Sequence, residues 1–428
     1  MMGGESKNRR RCYLTLPPTV VAVSAEGFLT RFGFGMIGFA LPLYALSLGM
    51  GVAEVGFLYG LRTVITLLVK PVIGTWADRF GLKRLLAASV ALRSILGLLF
   101  VFATEPWHLY AIRLLHGVMT AARDPSASAL IAKEGEKGKI ASSFAWYLTA
   151  RDLGSAAGYA AAGLLIQVTG GYRAVFLVAF FASCAALVTV LRYVRESKSL
   201  KEGTDTQDCP ERAQTGTPLR GDFSFPIPSP VDLSRLFRYA SLGLMVSGSA
   251  EMMRGLFPII ATQYAGLTEG EAGLTAAVSG VAVMGAGPLF GWLSDRKSRT
   301  LALGVRSLAN ILSSLLYIFF PTFIGFTIAR VADDTGKAAF RPAWGALLAE
   351  LSEADPARRA RTMTLVDSGH TLGEALGPLA AGLLLTGFGV PAMLGVRAAL
   401  SLATEIQAMR VLRKPEPAEA AWRAGYGR

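Results

Sequence analysis

The chain has 428 residues, 52% of them hydrophobic and 17% charged, against about 25% charged in an ordinary soluble domain, and its mean hydropathy is +0.44. Segments such as AVFLVAFFASCAALVTVL, Ala174–Leu191, show no polar face at all, which excludes the helices of a soluble core and leaves lipid as the solvent. The formal charge of +13 would suit nucleic acid, but the bases gather on one set of connectors between apolar runs, a membrane pattern, and no nucleic-acid partner is expected.

In chain order, apolar runs of about 20 residues, the length of a bilayer span, lie at 18–46, 54–76, 85–104, 108–132, 140–165, 172–194, 237–262, 270–294, 300–320, 322–350, 362–386 and 389–412. They predict twelve spanning helices in an all-α membrane protein. Lys7, Arg9, Arg10 and Arg11 precede the first span; Arg79, Lys83 and Arg84 follow the second, and Lys133, Lys137 and Lys139 the fourth. The same side collects Arg296, Lys297 and Arg299, then Arg358, Arg359 and Arg361, then Arg410, Arg413 and Lys414, whereas the opposite connectors hold little beyond Arg173. The positive-inside rule therefore puts both termini in the cytoplasm, with a bacterial inner membrane, or one derived from it, as the expected location. Cys12, Cys184 and Cys209 have no metal-ligand spacing and predict no disulfide framework.

After the sixth span the stretch Arg195–Pro230 is polar and then rich in Pro and Gly, the composition of a tether. The expected organisation is a six-helix bundle at 1–194, a cytoplasmic linker at 195–236, a second bundle at 237–414 and a tail at 415–428. The two bundles match at one offset. Subtracting 217 takes Glu271 to Glu54, Pro288 to Pro71, Asp295 to Asp78, Arg296 to Arg79, Arg330 to Arg113 and Pro342 to Pro125. Such register is a repeat, and with a small slip it extends to LGSAAGYAAAGLL (Leu153–Leu165) against LGEALGPLAAGLL (Leu372–Leu384).

GTWADRFGLKR, Gly74–Arg84, repeated in PLFGWLSDRKSR, Pro288–Arg299, resembles the signature between the second and third helices of the major facilitator superfamily of transporters. LYAIRLLHGVMTA, Leu109–Ala121, resembles that family's fourth-helix motif, with Arg113 and Gly117 in place and His116 where Gln is usual. The Gly-Pro motif of the fifth helix is broken, since Tyr159 stands where Pro is expected, while Pro378 supplies it in the eleventh. The resemblance implies twelve helices in two six-helix bundles related by a pseudo-two-fold axis, with helices one, four, seven and ten lining a central cavity. It also implies a conformational latch made by Gly74, Asp78, Arg79, Gly81, Lys83 and Arg84, and in the repeat by Gly291, Asp295 and Arg296. A plain basic anchor is the other reading, but it leaves Asp78 and the repeat unexplained. GFGMIG, Gly33–Gly38, fits a nucleotide fingerprint only in spelling; inside a span it predicts close helix packing. No HExxH, P-loop or nucleophile-elbow pattern has a credible setting, so neither an enzyme, nor a cofactor, nor a metal site is expected.

Ionisable residues inside spans cost a few kcal/mol each unless paired or wet, and this chain has many. Candidate substrate or coupling residues are Glu26 and Arg31 on the first helix, Arg113, His116, Arg123 and Asp124 on the fourth, and Glu251 and Arg254 on the seventh. Arg330, Asp333, Asp334 and Lys337, with Arg341, form one stripe on the tenth helix, and Asp367, His370 and Glu374 a second on the eleventh. Arg151 with Asp152, and Glu251 with Arg254, can also be internal ion pairs, whereas Arg93, Arg306 and Arg397 are expected to pack or to reach an interface. The expected function is alternating-access transport of a small charged solute, an anionic metabolite or a metal chelate, iron included, coupled to protons or another ion. The alternatives are proton-driven efflux of amphipathic drugs and a non-transporting sensor or scaffold. A monomer in the bilayer is expected.

Overall fold

The computed structural model describes residues 17–80, 82–134, 140–194, 230–296, 299–353 and 359–412. Among these no strand occurs. The first half comprises α1 (Pro18–Ser47), α2 (Val52–Phe80), α3 (Leu82–Phe102), α4 (Pro106–Glu134), α5 (Ile140–Thr169) and α6 (Arg173–Tyr193). The second comprises α7 (Pro230–Arg254), α8 (Glu269–Arg296), α9 (Arg299–Phe319), α10 (Phe323–Glu353) and the stretch Arg359–Leu412, which is two helices broken at Gly389, α11 before it and α12 after it. α7 starts earlier than the apolar run from 237 indicates, with Pro230 as its first residue, a position where the missing N–H costs nothing.

The architecture is two six-helix bundles related by a pseudo-two-fold axis. α1 packs on α5, α2 and α3 on α4, and α3 on α6; in the second half α7 packs on α11, α8 and α9 on α10, and α9 on α12. The repeat reaches even single backbone angles. Gly49 after α1 has φ 83 and Gly266, its counterpart at an offset of 217, has φ 65, both in the left-handed region that lets a helix end tightly. One departure breaks the symmetry: α1 runs on through Pro42, whereas α7 stops at Arg254 and is continued by a short turn, Phe257–Ile259, and a π-turn, Ile260–Tyr264.

Side chains are sorted as lipid demands. Phe181, Leu308 and Leu383 are exposed on the outer faces, while Arg123, Arg306 and Arg397 are among the largest fully buried side chains. By length and composition, Pro18–Ser47, Val52–Lys70, Leu82–Phe102, Arg173–Tyr193 and Val366–Arg410 qualify as bilayer spans. Among the described residues α4, α5, α7, α8, α9 and α10 do not meet that measure; in α4 and α10 ionisable residues that face the protein interior dilute the apolar count.

The halves meet along two seams, α2 with α11 and α5 with α8. A Cβ on Gly163 would come to 3.0 Å from the Gly273 Cα and collide with the Glu269 carbonyl, and one on Gly56 would collide with the Pro378 carbonyl and reach 3.2 Å from the Gly382 Cα. Both seams lie toward the end that carries the α1–α2 turn, and there the halves are closed backbone against backbone. The GFGMIG run packs as expected: Gly33 faces the Ala179 carbonyl on α6, and Gly35 faces Ser155 and Gly158 on α5.

Candidate functional site

In the first half the centre is a dry ion pair. Arg123 on α4 donates from Nε to Glu26 Oε1 at 3.2 Å and from Nη2 to Oε2 at 2.7 Å, and Thr30 donates to the same Oε1 at 2.7 Å. Arg123 Nη1 then donates to Tyr147 Oη at 3.0 Å and to Asp124 Oδ1 at 2.8 Å. Arg123 and Glu26 are 1% and 0% exposed, but Arg31 and Asp124 keep 35% and 37% of their side chains open at mid-helix depth. These two form a half-open charged face of the first half, to which Arg151 on α5 adds; the Nη2 atoms of Arg31 and Arg151 lie 3.7 and 3.6 Å from Asp124 Oδ2.

Deeper lie Arg113 and His116. The Arg113 guanidinium sits 4.2 Å over the Tyr59 ring, with Nε and Nη2 lacking an acceptor among the described residues, and neither His116 nitrogen has a partner there. The His116 ring lies 4.3 Å from Phe34, which also carries Arg93 at 4.0 Å over its face. Tyr59 hydroxyl donates to the Gly38 carbonyl at 2.8 Å, and its ring fills the space over Gly255, where α7 has just ended.

The tenth-helix stripe is assembled in the second half. Arg330 Nε pairs with Asp334 Oδ2 at 2.9 Å, Lys337 Nζ bridges Asp333 at 2.9 Å and Asp334 at 2.7 Å, and Ser279 on α8 donates to Asp334. Arg330 rests 4.4 Å over Phe257, so the repeat-related Arg113 and Arg330 each lie on an aromatic face. Glu251 pairs with Arg254 at 2.9 Å, and the carboxylates of Glu374 and Asp334 are close enough to act electrostatically on Arg254. His370 stands apart from the other candidates: it stacks beside Phe340 and Trp344, each 5.9 Å away, while Asp367 shares α11 with it.

Two of the arginines expected to pack or to reach an interface, Arg306 and Arg397, are packed inside, and they are held there as ion-pair partners. Arg397 on α12 is 0% exposed and uses its whole guanidinium: Nε to the Ser249 carbonyl at 2.9 Å, Nη1 to Ser313 and Ser314 at 3.0 Å each, Nη2 to Asn310 at 2.9 Å and to Asp333 at 2.6 Å. Arg306 on α9 donates to the same carboxylate at 3.1 Å. A buried charge beside an unpaired carboxylate pairs with it more readily than it reaches a distant interface. The signal that could have found this set is SLANILSS, Ser307–Ser314, a polar face inside an apolar span. Arg93 is likewise buried rather than interfacial, over Phe34. Tyr159, the residue in place of the expected Pro, packs edge-on against Phe39 at 6.2 Å and presents its backbone carbonyl to Gly273 on α8.

Of the latch, Lys83 reaches the Leu191 carbonyl at 3.4 Å and Arg84 is exposed. Gly81 and the surroundings of Gly74, Asp78, Arg79, Gly291, Asp295 and Arg296 lie outside the described residues, as do the side chain of Arg341 and the linker with Cys209.

Two six-helix bundles closed along two seams, with ionisable side chains gathered inside their spans, are the architecture of a membrane transporter. The model of the Major Facilitator Superfamily matches residues 27–246 and 239–425, and the chain belongs to that family. The multi-drug resistance efflux pump PmrA of Streptococcus pneumoniae is 25% identical over 376 residues, covering 86% of this chain and 89% of PmrA. The multidrug resistance protein MdtG of Enterobacter lignolyticus is 27% identical over 192 residues, 44% of either chain, so the match spans less than half of that relative. Among solved structures, the nucleoside transporter NupG superposes with a TM-score of 0.74 at 14% identity, covering 92% of this chain and 100% of that one. The human organic anion transporter MFSD10 gives 0.63 at 15% identity over 91% and 99%. At these identities the two structures speak for the fold alone.

Proposed function

We propose that the protein is a secondary transporter that moves a small anionic solute, an organic acid or an anionic metal chelate, by alternating access driven by proton exchange. The observation that carries this reading is the surplus of inward guanidinium groups over carboxylates in the first half: among the described residues Arg113 and Arg93 bear N–H groups without acceptors and no carboxylate beside them, whereas Arg306 and Arg330, which also keep free N–H groups, each hold one, and Arg31 and Arg151 share one distant carboxylate oxygen. Uncompensated buried cations are costly, and an anion that enters the cavity relieves that cost. Asp334 is the proton carrier in this scheme, because it is partly open and held by Arg330 and Lys337, bases that a solute can engage in its place. Asp333, enclosed by Arg306, Lys337 and Arg397, serves instead as a fixed anchor. With the α1–α2 turn outside, the closed seams correspond to a state that faces the cytoplasm.

The similarity to MdtG and PmrA supports a second reading, efflux of amphipathic compounds. Thermal-shift measurements on purified protein with organic anions, anionic chelates and lipophilic cations separate the two, since a ligand of the folded state raises its melting point. Stabilisation by anions, followed by their gradient-driven flux in proteoliposomes, is the expected result. Stabilisation by lipophilic cations alone overturns the anion reading, and the absence of any flux favours the sensor.

A further inference from the structure

One half-open contact of the first half falls short of bonding distance. Charge-assisted guanidinium–carboxylate bonds close at about 2.7–2.9 Å. Asp124 Oδ1 meets that standard at 2.8 Å from Arg123, but Oδ2 stays 3.7 Å from Arg31 and 3.6 Å from Arg151, too far to accept a hydrogen bond from either. The reason is tethering. Arg123 is fixed on its far side by both Glu26 oxygens and by Tyr147, so Asp124, anchored through Oδ1, cannot advance toward the other two arginines. Arg31 and Arg151 come from α1 and α5, converge on one oxygen from different helices, and stop short of it on a face where Arg31 and Asp124 are 35% and 37% exposed.

We propose that Asp124 is a built-in stand-in for the solute: its Oδ2 holds open, by charge alone, the place between Arg31 and Arg151 where a solute carboxylate binds. This inference rests on the anion reading and names the group recognised, a carboxylate. A solute carboxylate is untethered and closes on both arginines at bonding distance. It does so against the negative charge of Asp124, which keeps binding weak enough to reverse and returns the arginines to an internal partner when the solute leaves. Asp124 is thus a specificity-determining residue that lowers affinity in exchange for turnover, while the Arg123–Glu26 pair is its positioning support.

Opposite changes at one position test this. Asp124→Asn keeps the shape and the bond from Arg123 but removes the competing charge; Asp124→Glu adds a methylene that lets the carboxylate reach Arg31 and Arg151. Binding of benzoate and citrate to the purified full chain is measured by calorimetry, with tetraphenylphosphonium as the cationic control and melting temperature as the check on folding. The expected result is binding about tenfold tighter in Asp124→Asn, from loss of a like charge about 4 Å away, with slower release in stopped flow. Asp124→Glu binds more weakly than the parent, and Arg31→Gln and Arg151→Gln bind at least tenfold more weakly. Anion binding to the parent that is unchanged or weakened by Asp124→Asn, or strengthened by Asp124→Glu, overturns the stand-in while leaving the anion reading intact. If neither the parent nor Asp124→Asn binds either acid while tetraphenylphosphonium binds both, the anion reading falls and this inference with it.

Discussion

Replacing Arg397 by Met removes a guanidinium and leaves a shorter, uncharged chain in a site with no exposure to water. Five hydrogen bonds go with it, to Ser249, Ser313, Ser314, Asn310 and Asp333. At about 0.6 kcal/mol per interhelical bond in membrane proteins, the five together come to about 3 kcal/mol. Asp333 itself keeps Arg306 and Lys337, so the full penalty of an orphaned buried charge does not fall on this variant. It falls on Asp333→Asn, which deprives three cations of their common anion and belongs in the range of about 3–5 kcal/mol measured when one partner of a buried pair is removed. The double variant Arg397→Met/Asp333→Asn is then less destabilised than the sum of the singles, because each single leaves behind what the other removes. Equilibrium unfolding of the purified protein in mixed micelles, followed by tryptophan fluorescence, gives all three values. Losses below about 0.5 kcal/mol for both single variants, or strict additivity in the double, would refute the assignment of Asp333 as the anchor of α9, α10 and α12.

Asp334→Asn is expected to keep solute binding within a few-fold but to abolish the dependence of proteoliposome uptake on an imposed pH gradient. Asp333→Asn, corrected for folded fraction, keeps that dependence. Gly163→Val opposes closure of the α5–α8 seam, so spin-label distances across the α1–α2 turn end lengthen and transport is lost while the protein still folds; unchanged distances would show that the seam yields. Cys209 is expected to react with an impermeant thiol reagent only from the cytoplasmic side, and its labelling in intact cells would reverse the topology.

Much of the architecture was legible because lipid imposes it: a spanning helix must be long and apolar, and the doubled spacing of Asp78 and Asp295 or Arg113 and Arg330 declares the repeat. The stripe on α10 was legible for the same reason, since residues three and four apart share a face. What the sequence concealed was partnership between helices. Nothing in the spacing of Glu26 and Arg123 marks them as one ion pair, and Arg151 lies beside Asp152 in the chain although its guanidinium also approaches Asp124 on another helix. The carboxylate partner of Arg306 and Arg397 was hidden because an arginine near an apolar face has two resting places, an interface or a buried carboxylate, and only tertiary packing decides between them. The end of α7 at Arg254 was equally hidden, as no Pro stands at the break itself and Pro258 comes only after it.

The two glycine seams also determine how well the closed end insulates. A file of waters needs space and polar partners at each step, and where the Gly163 backbone rests against Gly273 and the Gly56 backbone against Pro378, side-chain bulk has been removed so that no such space remains. Along those two contacts the barrier between the bundles is as thin as two peptide chains, with no side chain and no room for a water between them.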